Sequence, residues 1–182
     1  MTGHATSPEA LAGLIATAHR PGSVRVVGLT GSVAAGKSTL AAQIAGALAP
    51  ALRVEQVATD GFLLPNATLE ARGLLLRKGF PESYDVAALR NTLHAARAGA
   101  VRIPGYSHSL YDIDPALART IDRPGILLVE GLGFAPDAGG ETAADALDSL
   151  LYLDASEADL EHWFLERFMR LWRAAATDPA SF

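Results

Sequence analysis

An α/β fold, with a central, mostly parallel sheet of about five strands and helices on both faces, is the architecture this sequence predicts. Two observations predict it. Apolar, β-branched runs alternate with helical patterns along the chain. The first such run, VRVVGL (24–29), passes through a glycine-bearing turn into a helical stretch, KSTLAAQIAGALA (37–49). At 182 residues, with no internal repeat, the chain is expected to form a single domain over 1–182.

The N-terminal arm, 1–22, contains a short helix: Ser7 is its N-cap, Pro8 its first residue, and Leu11, Leu14, Ile15 and Ala18 its expected buried stripe. After the 24–29 strand, the next helix runs until Pro50 stops it. LRVEQVAT (52–59) is a second strand. DVAALRNTLHAARAG (85–99) is a helix capped by Asp85, turning Leu89, Leu93 and Ala96 inward and ending at Gly99. VRIP (101–104) is a short extended piece, followed by the strands GILLVE (125–130) and LLYLDA (150–155). Ser156 opens a lid-like helix to about residue 176, with Leu160, Phe164, Phe168 and Leu171 on one face. The connections 60–84 and 104–122 are longer than ordinary loops, and loops of that length are where substrate contacts concentrate.

Composition excludes several classes. A formal net charge of −5 argues against nucleic acid as a partner, because a phosphate-backbone reader needs a basic face. Zero cysteines exclude disulfides, thiolate metal sites and a cysteine nucleophile, and fit the cytoplasm. No apolar run approaches the ~20 residues of a membrane span, and the start lacks the basic region of a secretion signal.

Gly31-Ser32-Val33-Ala34-Ala35-Gly36-Lys37-Ser38 matches G-x-x-x-x-G-K-[ST] between a strand and a helix, with Thr39 following. Glycines let backbone N–H groups converge on phosphate oxygens, and the helix N-terminus adds partial positive charge. Lys37 can reach the β- and γ-phosphates of a nucleotide, and the Ser38 hydroxyl can ligate Mg²⁺. Two acids follow strand ends, where an α/β sheet binds its ligands: Asp60 and Glu130. Glu130 takes the metal-side position, and Asp60 can accept the proton of an attacking hydroxyl. Either is otherwise a helix cap or a surface carboxylate.

Other users of this loop fit less well. The only asparagines, Asn66 and Asn91, do not precede lysine, so the Asn-Lys-x-Asp base reader of GTPases is missing. DRPG (122–125) precedes a strand instead of following one, and neither a Ser-Gly-Gly-Gln signature nor basic stripes occur. A small-molecule kinase remains.

TDGFLLPNATLEARGLLLRKGFPESYD (59–85) and YSHSLYDI (106–113) closely resemble the type I, bacterial pantothenate kinase family within the P-loop kinase superfamily. GSVAAGKST, LLVEGL, EHWFLERF (161–168) and the terminal TDPASF (177–182) fit the same pattern. The resemblance implies ATP-dependent phosphorylation of pantothenate, the committed step toward coenzyme A. By matching motif, Lys37 becomes the phosphate lysine and Asp60 the catalytic base. Tyr106, His108 and Tyr111 would line the pantothenate pocket, Phe164 would face the substrate from the lid helix, and Arg167 would lie near the phosphates. It further implies a homodimer and feedback by coenzyme A competing with ATP, with Lys37 and His108 among its contacts.

Taken alone, these residues have plainer readings. His108 can be a solvated or structural imidazole, Tyr106 and Tyr111 packing anchors, and Arg167 a partner of Glu157 or Glu166. The chain also departs from the family. Members begin earlier and continue well past the Asp-Pro-x-Ser motif, so the C-terminal part of the family domain is expected to be absent. The loop GLGFAPDAGG follows Glu130 where Gly-Leu-Asn-Val-Leu is usual, and Phe164 replaces a tyrosine. These departures keep two alternatives open: a kinase for another small hydroxyl compound such as a nucleoside or sugar, and a non-catalytic fragment that binds nucleotide or coenzyme A.

Overall fold

The computed structural model describes residues 7–136 and 139–177; the end of the TDPASF segment and part of the 131–140 loop lie outside the described residues. Five α-helices are described, α1 (Pro8–Ala18), α2 (Lys37–Leu48), α3 (Asn66–Ala71), α4 (Val86–Ala98) and α5 (Glu157–Thr177). The strands are β1 (Arg25–Gly31), β2 (Val54–Ala58), β3 (Val101–Ile103), β4 (Tyr106–Ser107), β5 (Asp112–Ile113), β6 (Arg119–Ile121), β7 (Ile126–Glu130) and β8 (Ser149–Leu153).

The central sheet has four strands among the described residues, in the order β2-β7-β1-β8, and every pairing is parallel. The α/β architecture with a parallel central sheet agrees with the sequence expectation, with four described strands against about five. The extended piece at 101–104 does not join the sheet, because β3 takes β6 as its antiparallel partner. The 104–122 connection likewise contains local order, the small hairpin β4–β5.

Alternation along the central strands sorts side chains to two cores. Val26, Val57, Leu127 and Val129 pack with Val86, Leu89, Leu93 and Ala96 of α4 on one face. Val27, Leu29, Ile126 and Leu128 pack with Ala12 and Ile15 of α1 and Ala41, Ile44 and Leu48 of α2 on the other. Each fully buried aliphatic side chain contributes roughly 1.5–3 kcal/mol, so β1 and β7, apolar on both faces, anchor the molecule.

The caps form where expected. The Ser7 side chain accepts from Ala10 N and Pro8 opens α1; the Asp85 carboxylate accepts from Ala88 N at 2.8 Å; and Ser156 Oγ accepts from Asp159 N at 3.2 Å. The α1 stripe is narrower than expected: Ala12 and Ile15 are buried, but Leu14 is 61% exposed and Ala18 is also exposed. Ala12 and Ile15 join the core that α2 shares, whereas Leu14 and Ala18, the last residue of α1, stay exposed. Helix α5 lies largely uncovered, with Trp163, Phe164, Leu165, Phe168, Met169 and Trp172 all exposed.

Candidate active site

The phosphate loop is shaped by its backbone. β1 ends at Gly31, and the chain turns through Ala34 (φ 66°) and Gly36 (φ 88°) before α2 begins at Lys37. Glycine adopts the left-handed conformation at Gly36 freely, whereas Ala34 there costs of order 1–3 kcal/mol, strain of the kind concentrated at functional loops. Lys37 Nζ donates to the carbonyls of Gly31 (3.1 Å) and Ser32 (2.9 Å), closing the loop. Burial lowers the Lys37 pKa; the Glu130 and Asp60 carboxylates oppose that shift, and Arg167 adds to it. Ala35 is buried beneath the loop, while Val33 and Thr39 are exposed.

Strand order brings the two acids beside this loop. Glu130 ends β7 between Leu29 of β1 and Ala58 of β2 in register, and Asp60 lies two residues past Ala58. Thr59, fully buried, accepts the amide of Leu132 at 3.1 Å and so ties the turn after β2 to the turn after β7. Gly61 lies against the Pro104 carbonyl, where a Cβ would come within 2.4 Å, bringing the 104–113 segment next to Asp60.

These elements enclose a cleft of about 510 Å³, a size suited to small molecules. Val33, Ala34, Lys37 and Ser38 line it from the loop side, with Asp60 and Glu130 between. Tyr106, His108 and Tyr111 line the far side, and Arg167 reaches in from α5. Of the residues singled out in sequence, Gly31, Ser32, Ala35, Gly36 and Thr39 of the phosphate loop do not line the cleft, and neither does Phe164, which is 51% exposed on α5.

Edge-on ring contacts hold the far wall, Tyr106 to His108 at 5.2 Å and Tyr106 to Tyr111 at 6.4 Å. Burial, then the neighbouring Tyr111 and Asp60, push the Tyr106 hydroxyl up to about 12. Burial raises the Glu130 carboxyl too, against the Ser38 hydrogen bond and the Lys37 charge, which favour its ionised form.

Sequence reasoning passed over Lys78 and Tyr84. Lys78 lines the cleft with its ammonium 4.4 Å from the Tyr111 ring centroid and 5.0 Å from that of Tyr106. Tyr84 lines it too, buried, with its hydroxyl pKa raised mainly by burial. The available signal for Lys78 was a lysine beside glycine inside an overlong loop, and RKG reads equally well as a basic turn.

Ser38 Oγ donates to Glu130 Oε1 at 3.1 Å, an all-oxygen pair that suits Mg²⁺. Among the described residues no cluster of three or more His, Cys, Asp or Glu could hold a metal.

A parallel sheet, a phosphate loop carrying Lys37 and Ser38, and acids at the end of β7 and just past β2 make up the frame of a P-loop fold. Residues 26–172 match the Phosphoribulokinase / Uridine kinase family, and the chain belongs to it. The pantothenate kinase of Leifsonia xyli subsp. xyli is 48% identical over 165 residues, covering 86% of this chain and 51% of that protein. That of Streptomyces avermitilis is 46% identical over 173 residues, covering 88% and 53%. The chain therefore spans about half the length of the curated relatives it matches. Among solved structures, a Silicibacter sp. TM1040 protein named for a fructose transport system kinase superposes with a TM-score of 0.81 at 30% identity, over 91% of this chain and 83% of that one.

Proposed function

We propose that the chain carries the phosphoryl-transfer machinery of a pantothenate kinase and uses ATP and Mg²⁺ to phosphorylate the pantothenate hydroxyl. The observation that carries this reading is the convergence of Lys37, Ser38, Asp60 and Glu130 with Tyr106, His108 and Tyr111 on one cleft. The 48% identity to a pantothenate kinase supports pantothenate as the acceptor.

The loop Gly31–Ser38 and Thr39 hold the phosphates of ATP through backbone N–H groups. Lys37 turns its ammonium from the Gly31 and Ser32 carbonyls to the β- and γ-phosphates, and Arg167 adds positive charge. Mg²⁺, when bound, neutralises phosphate charge; Ser38 and Glu130 would hold it. Asp60 accepts the proton of the acceptor hydroxyl as that oxygen forms its bond to the γ-phosphorus and the bond to the departing ADP oxygen breaks. Tyr106, His108 and Tyr111 orient the acceptor. Phe164 joins them only if α5 moves inward, since its ring lies outside the cleft.

The same reading carries coenzyme A as a feedback ligand competing with ATP, with Lys37 and His108, which both line the cleft, among its contacts. The exposed apolar side chains of α5 support a homodimer, which sedimentation velocity tests. A cytoplasmic location accords with the absence, among the described residues, of any helix long and apolar enough to cross a membrane.

A second reading, a kinase for another small alcohol, draws support from the exposed Phe164 and from the 30% identity to the Silicibacter protein. Mass spectrometry of the product from ATP, Mg²⁺ and pantothenate tests the proposal. A phosphopantothenate product supports it. Phosphorylation of a sugar or nucleoside but not pantothenate supports the second reading, and binding without any product makes this a nucleotide-binding fragment.

A further inference from the structure

Asn66, the first residue of α3, lies outside the cleft yet bonds to three groups around it. Its backbone N–H donates to Asp112 Oδ1 at 3.0 Å, its Nδ2 donates to the Tyr111 carbonyl at 2.9 Å, and its Oδ1 accepts from Lys78 Nζ at 2.6 Å. Lys78 Nζ also donates to the same Tyr111 carbonyl, at 2.5 Å. One amide thus bridges the 60–84 segment, which carries Asp60 and Lys78, and the β4–β5 hairpin, which carries Tyr106, His108 and Tyr111. Tyr111 needs the tie: its φ of 50° is left-handed, unfavourable for a bulky residue unless its surroundings hold it there.

We infer that Asn66 is a positioning residue: it staples the β4–β5 hairpin to the loop bearing Asp60 and thereby sets the distance between the base and the acceptor-side tyrosines. Asparagine suits the task because a single side-chain amide both donates and accepts, and here it does both across two elements. A carboxylate in its place keeps the bond from Lys78 but sets an acceptor against the Tyr111 carbonyl. The hairpin itself has only two pairs in register, Tyr106↔Ile113 and Ser107↔Asp112, too few to hold its own place. The consequence for catalysis rests on the kinase reading above; the staple does not.

The test pairs hydrogen exchange with kinetics on the full chain, comparing wild type with Asn66→Ala and Asn66→Asp. In Asn66→Ala, amides of 106–113 are expected to exchange about tenfold faster, while those of β1 and β7 keep their rates. The KM for the acceptor is expected to rise about tenfold with the KM for ATP within about twofold, since misplacement acts on the acceptor side. Asn66→Asp is expected to fall between wild type and Asn66→Ala in both readouts. Unchanged exchange in the hairpin, equal acceleration in hairpin and core, or equal rises in both KM values would each overturn the inference. Failure of the wild type to phosphorylate any acceptor sinks the kinase reading instead, and the exchange result still decides the staple.

Discussion

Ser38 Oγ and Glu130 Oε1 meet at 3.1 Å although 92 residues separate them in sequence, and that contact joins the start of α2 to the end of β7. It is possible because β7 is the direct parallel neighbour of β1, with Leu29 and Glu130 paired in register. Removing the Glu130 charge is expected to separate function from stability. Burial raises the Glu130 carboxyl above its ordinary 4.5, so the folded chain holds that proton more tightly than the unfolded chain. The associated stability is complete below the unfolded pKa and is lost as pH rises through the folded one. At pH 7 the ionised carboxylate opposes folding, and Glu130→Gln is expected to melt at or above the wild-type Tm. Its turnover is expected to fall about 10²-fold, with a higher Mg²⁺ requirement. Thermal melts alongside Mg²⁺ titrations of the rate check both halves.

Asp60→Asn keeps the shape of the side chain and removes its ability to take a proton. The expected loss in kcat is about 10²–10⁴-fold, with nucleotide affinity little changed because the phosphate loop is untouched. Isothermal titration with a non-hydrolysable ATP analogue, beside steady-state rates, makes the comparison.

Lys37→Met removes the ammonium that bonds the Gly31 and Ser32 carbonyls in this structure. Turnover is expected to drop about 10²–10³-fold, and nucleotide affinity with it, because the charge offsets the phosphates in both bound and transition states. Circular dichroism is expected to keep the wild-type spectrum, since the core residues of α2 are unaffected.

Gly61→Ala tests the packing that positions Asp60. The added Cβ would approach the Pro104 carbonyl oxygen to 2.4 Å and its carbon to 3.1 Å, so the backbone must shift. Overpacking of this kind costs about 1–3 kcal/mol, which lowers Tm by about 2–4 °C per kcal/mol for a chain of this size. The rate is expected to fall with the Tm, and differential scanning calorimetry with matched assays measures both.

The sequence made the central strands and the phosphate loop legible because each depends on local rules. VRVVGL and GILLVE contain the runs 26–29 and 126–129 without a polar side chain, as strands buried on both faces must, and the phosphate motif needs its residues at fixed spacing. Asp60 and Glu130 stood out because each follows a strand. Partner choice was not legible: nothing in VRIP says that it pairs with Arg119–Ile121 instead of joining the central sheet. The exposure of Leu14 was equally hidden, because helical periodicity gives a face without giving how far the neighbouring helix extends over it. Lys78, Tyr84 and Asn66 enter the site or its support through contacts with segments distant in sequence.

The most direct test of the account is ADP release by the purified chain with ATP and Mg²⁺. It is run with pantothenate, with a panel of sugars and nucleosides, and with no acceptor, beside an Asp60→Ala control. Release that depends on pantothenate and disappears in the control is the expected result. Release that is independent of any acceptor, or that persists in Asp60→Ala, would contradict it.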